Sequence, residues 1–112
     1  MIKIGCDLIS NSRLGKQLSN WAFLKRVFYP SELKLAKNKL NKLAGIFALK
    51  EATMKALGKK LDWKDIEIKI RENKKSVIFL ANSVKPKNFK YIDGTISHDG
   101  DYTLGFVIIE LK

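Results

Sequence analysis

Residues 2–9 alternate between two sides, with Ile2, Ile4, Cys6 and Leu8 on one and Lys3, Gly5, Asp7 and Ile9 on the other. That period of two predicts a β-strand with Asp7 near its end. Ser10, Asn11 and Ser12 can each cap a helix, and Leu14, Leu18 and Trp21 then recur at helical spacing with Arg13, Lys16, Gln17 and Asn20 opposite, so an amphipathic helix is expected next. Pro30 disfavours a helical residue before it, and Ser31 can cap the Lys-rich stretch 33–41, whose apolar positions are Leu33, Ala36 and Leu40. A break is expected near 38–41. After it, Leu43, Phe47, Ala48, Leu49, Ala52, Met54, Ala56 and Leu57 cover most of the circumference of a helix that stops at Gly58, the pattern of a helix buried on nearly all sides.

From Asp65 the period returns to two. Ile66, Ile68 and Ile70 alternate with Glu67, Lys69 and Arg71, Glu72-Asn73-Lys74-Lys75 makes a turn, and 76–81 pairs back as a hairpin. After a polar, basic loop at 85–90 containing Pro86, residues 91–98 and 102–111 read as a second hairpin around Asp99-Gly100-Asp101. The last strand is apolar on both faces and is therefore expected at the centre of its sheet. The expected fold is α+β, one domain over residues 1–112, with a small antiparallel sheet packed on a long buried helix.

Composition narrows the class. The chain has 112 residues and is 46% hydrophobic, enough for one buried core and too apolar for a disordered chain. No apolar run approaches the length needed to cross a bilayer. Asp7 comes too early for a signal peptide, so a cytoplasmic location and no membrane partner are expected. Cys6 is the single cysteine, which excludes an internal disulfide and a cysteine-built metal site; a small buried hydrophobe is its expected role. The formal charge of +11 implies an acidic partner. Of the 22 cations only Arg13, Arg26 and Arg71 are Arg, which argues against base-specific nucleic-acid readout, a task that leans on the Arg fork.

Three groups of residues can carry chemistry: Asp7 at a strand end, Glu51 with Lys55 one helical turn later, and Ser97-His98-Asp99 at a hairpin turn. Each has an ordinary explanation. Glu and Lys four apart form common surface pairs worth about 0.2–0.5 kcal/mol, Asp7 can cap the following helix, and a lone His at a strand end is usually structural. The apolar surround of Glu51 and Lys55 is what sets them apart, with Lys50 pointing to an adjacent side of the helix.

Taken together, Gly5-x-Asp7, Phe47-Ala-x-Lys50-Glu51-Ala-x-x-Lys55-Ala-x-Gly58 and Ser97-His98, with Arg26-Val27-Phe28 and Ser31-Glu32-Leu33 between them, follow one pattern in order along the whole chain. The sequence resembles the holo-acyl-carrier-protein synthase branch of the 4′-phosphopantetheinyl transferases. The resemblance implies transfer of phosphopantetheine from coenzyme A to a serine of an apo-acyl carrier protein. It makes Asp7 and Glu51 ligands of Mg²⁺ and Glu51 the acceptor of the serine proton, directly or through a metal-bound water. Lys55 offsets charge on the leaving phosphate, and Lys50, Lys55, Gly58, Ser97 and His98 line the coenzyme A site. Arg13 and Lys16 on the first helix meet the acidic carrier protein.

It further implies a homotrimer with active sites shared between neighbours, in which Asp7 and Glu51 can meet inside one subunit or the Asp7 and Ser97-His98 regions of one can face the Glu51 helix of another. Two departures concern the nucleotide contacts: Ile46 stands where the family usually has Arg, and Asn73-Lys74-Lys75-Ser76 where a Gly-Lys-Pro turn is common. The alternatives are a basic nucleic-acid-binding module, which would line its groove with cations and avoid paired acids, and an inactive relative that only binds carrier protein.

Overall fold

The computed structural model describes residues 1–112. Strand β1 (Ile2–Ser10) leads into three short helices, α1 (Asn11–Gly15), α2 (Trp21–Val27) and α3 (Pro30–Ala36), and then the long helix α4 (Leu40–Leu57). A 3₁₀ turn at Trp63–Asp65 precedes β2 (Ile66–Ile70), β3 (Ser76–Leu80), β4 (Phe89–Asp99) and β5 (Tyr102–Leu111). Two antiparallel sheets form, β1-β5-β4 and the hairpin β2-β3, so the last strand lies at the centre of its sheet as its two apolar faces require. This is the expected α+β arrangement of a small antiparallel sheet on a long helix.

Helix α4 buries Leu43, Ala44, Ile46, Ala48, Leu49, Ala52, Met54 and Ala56 between the two sheets and the short helices. It lies unusually close to β1 and β5. A Cβ on Gly5 would stand 2.1 Å from the Ala52 carbonyl oxygen, and one on Gly105 would stand 2.7 Å from that of Ala48. Only hydrogens there, facing the small side of an alanine stripe, let the helix backbone settle onto the sheet. The helix ends at Gly58, whose φ of 73° is the left-handed conformation of a C-cap.

The first helix differs from expectation. It breaks after Gly15, and Asn20 Oδ1 accepts from Phe23 N to cap a second helix, so Trp21 begins α2 and is exposed rather than sharing a stripe with Leu14 and Leu18. Helix α3 starts two residues earlier than Ser31 capping implies: Tyr29 is the cap, Pro30 takes the first helical position, and the Glu32 carboxylate accepts from Tyr29 N. Cys6 is also a correction. Gly5 must face α4, so by strand alternation Ile2, Ile4, Cys6 and Leu8 face outward, and Cys6 is exposed. Opposite them on β5, Leu104 and Phe106 are exposed as well.

Candidate active site

Gly5 seats β1 on Ala52 and Ala56 of α4, and strand alternation turns Asp7, two residues on, toward the same helix. There Lys55, three residues beyond Ala52, donates from Nζ to Asp7 Oδ1 at 3.0 Å. Glu51 lies one helical turn before Lys55. All three line a cleft of about 530 Å³ whose wall continues through Ser10, Arg13, Phe23 and Phe47. Burial and the neighbouring Asp7 charge raise the Glu51 carboxyl above the usual carboxylate range, with Lys55 and Lys60 opposing. The Lys55 ammonium is held above its ordinary value, chiefly by its bond to Asp7. Asp7 and Glu51 thus meet within one chain, one of the two arrangements the sequence leaves open.

Lys50 is corrected. It is 0% exposed and lines no cleft. Its Nζ donates to Glu32 Oε1 at 2.8 Å, to the Val27 carbonyl at 2.8 Å and to the Trp63 carbonyl at 3.3 Å. The buried Glu32 carboxylate also accepts from Tyr29 N and Ile68 N. One ion pair therefore ties α2, α3, α4, the 3₁₀ turn and β2 together. Burial lowers the Lys50 pKa, and Glu32 holds against that fall.

The other expected residues spread around the molecule. Gly58 lines a second cleft with Glu51, Lys55, Lys59 and Lys60, beside Trp63, which stacks on Phe47 at 5.0 Å between centroids. Arg13 and Lys16 are exposed, Arg13 on the rim of the Asp7–Glu51 cleft. Ser97 shares the outward sheet face with Leu8 and Leu104. His98 faces a third cleft, of about 350 Å³, with Asn41, Lys42, Lys74 and Lys75. Ser97 and His98 line neither cleft that holds Glu51.

The family model of the 4′-phosphopantetheinyl transferase superfamily matches residues 3–107. The chain belongs to that superfamily. Among curated relatives of this transferase, the holo-[acyl-carrier-protein] synthase of Helicobacter pylori strain ATCC 700392 / 26695 is 35% identical over 113 residues, covering 95% of each chain. That of Nautilia profundicola is 36% identical, covering 95% of this chain and 97% of its own. Among solved structures, the Helicobacter pylori synthase in complex with coenzyme A superimposes with a TM-score of 0.90 at 32% identity, covering 96% of this chain and 99% of that one. The Neisseria meningitidis synthase gives 0.84 at 30% identity, covering 98% and 99%.

For a transferase of this superfamily the donor set can be tested against a metal. No cluster of three or more His, Cys, Asp or Glu side chains is present, which is not the set of an all-protein cage. Two carboxylates facing one open cleft match Mg²⁺, a hard cation that keeps several waters and takes its remaining ligands from substrate phosphates. Sequence reasoning missed the part played by Glu32. Its signals were a carboxylate near the start of a helix, which caps helices routinely, and a place in the Ser31-Glu32-Leu33 segment, and neither points to a buried lysine partner. It also missed Phe47 and Trp63 as the aromatic wall between two clefts, since residues that far apart meet only through the fold.

Proposed function

We propose that this protein is a holo-acyl-carrier-protein synthase that moves the 4′-phosphopantetheine arm of coenzyme A onto a serine hydroxyl of an apo-acyl carrier protein, releasing adenosine 3′,5′-bisphosphate. The observation that carries the reading is the convergence of Asp7, Glu51 and Lys55 in one cleft of a chain similar along its length to such synthases. In the reaction the serine oxygen bonds to the phosphorus next to pantetheine, the pyrophosphate P–O bond breaks, and the serine proton leaves. Glu51, which burial makes a stronger base than an ordinary carboxylate, accepts that proton. Lys55, fixed by Asp7, balances negative charge on the departing phosphate. Asp7 and Glu51 would hold Mg²⁺, which when bound supplies charge neutralisation at the pyrophosphate.

Lys55 lines the coenzyme A side of this cleft and Gly58 the adjoining one, and Ser97 and His98 contribute from a second subunit of a homotrimer. Support for the trimer comes from the outward face of β1 and β5, where Ile4, Leu8, Leu104 and Phe106 form an apolar patch with Ser97 at its edge. Arg13 at the cleft rim and Lys16 on the same side receive the acidic carrier protein, steered by the surplus of positive charge. A cytoplasmic location goes with this reading. The test is incubation with coenzyme A, Mg²⁺ and an apo-acyl carrier protein, followed by intact-mass measurement. One added phosphopantetheine is expected, and no gain on any of several carrier proteins would overturn the assignment.

A further inference from the structure

His98 and Thr103 face each other across the β4-β5 hairpin, and the imidazole Nδ1 lies 2.8 Å from Thr103 Oγ1. The Thr103 hydroxyl is fully buried and donates its single proton to Asn11 Oδ1 at 2.7 Å. Its oxygen can then only accept from the ring, so Nδ1 must carry a hydrogen. The backbone of Asn11 is itself fixed. It opens α1, its backbone N donates to the Asp101 carbonyl, and the Asp101 carboxylate accepts from Ser10 Oγ, Ser12 Oγ and Ser12 N. The chain of bonds therefore starts on the first helix, which carries Arg13, and ends on the ring that borders the lysine-lined cleft.

We infer that Asn11 and Thr103 are positioning residues that lock His98 as the Nδ1–H tautomer and leave Nε2 as the only ring atom for the ligand. Nε2 of the neutral ring is then an acceptor, which takes a hydrogen bond from a hydroxyl or N–H group of a phosphate-bearing ligand, while the phosphate oxygens, acceptors themselves, are left to the lysines of the cleft. This part rests on the proposed coenzyme A chemistry, while the tautomer itself does not. An unconstrained imidazole favours the opposite tautomer, so the bond to Thr103 is what reverses it.

Long-range ¹H–¹⁵N correlation of the wild-type protein at about pH 8.5, above the ordinary imidazole range, reads the tautomer directly. A protonated Nδ1 and a bare Nε2 are expected; a protonated Nε2 overturns the inference whether or not the protein modifies a carrier. Thr103→Val should return the ring to the Nε2–H form and raise KM for coenzyme A roughly three- to tenfold, the scale of one net hydrogen bond, with kcat little changed. Thr103→Ser should restore both. In a His98→Ala background Thr103→Val should add nothing to KM. A further rise there would show that Thr103 acts on folding rather than through His98, and would also overturn the assignment.

Discussion

Glu51 and Lys50 are neighbours in sequence and opposites in environment. Glu51 faces a cleft, and its raised carboxyl means that ionising it costs the folded protein something: the favourable contribution is complete below the unfolded carboxylate value and is lost as pH rises through the higher folded value. Glu51→Gln should therefore leave the metal-free protein at least as stable as wild type at pH 7 by thermal melting, while phosphopantetheine transfer falls roughly 10²- to 10⁴-fold. In the active enzyme the same ionisation sets an acidic limb, with kcat/KM falling as pH drops through the Glu51 value. Lys50 and Glu32 behave in the reverse way. Both are fully buried, so Lys50→Ala or Glu32→Ala strands a charge and should cost about 3–5 kcal/mol by denaturant unfolding, the double variant costing less than the sum. The Lys-Glu pair of the motif was visible in the sequence, but its two environments were not, since each depends on what packs against that side of α4.

At the scale of elements, the contact between β1 and α4 decides whether the site exists. Asp7 reaches Lys55 because Gly5 and Gly105 let the helix axis come down onto the sheet. Gly5→Ala would place a methyl group against the Ala52 backbone, which no rotamer change can relieve. A loss at the upper end of about 1–3 kcal/mol is expected in denaturant unfolding, along with a loss of transfer activity larger than the stability change explains, because the helix must lift Lys55 and Glu51 away from Asp7. Periodicity predicted β1, α4 and both hairpins with near-correct bounds, since apolar spacing reports secondary structure directly. It failed for the first helix. Short helices depend on caps, and the Asn20 cap that restarts the chain as α2 looks the same in sequence as any asparagine on a polar face.

On the scale of the whole molecule, one chain leaves work unfinished. Cys6, Ile4, Leu8, Leu104 and Phe106 are turned outward, and Ser97 lies with Leu8 and Leu104, on the other side of the sheet from α4. If a second copy covers this face, Phe106→Glu should give monomers by sedimentation velocity and reduce transfer along with assembly, since a carboxylate buried there has no partner. The sequence by itself determined the α+β class, the long buried helix, the central last strand and the residues able to carry phosphoryl-transfer chemistry, because apolar period and residue type are local properties. Only the tertiary structure decided which face of β1 meets the helix, that Asp7 and Glu51 share a cleft within one chain, and that Lys50 is an internal strut. Each of those depends on how close two backbones can approach, and that distance is set by glycines and alanines whose effect is felt only once the elements are packed.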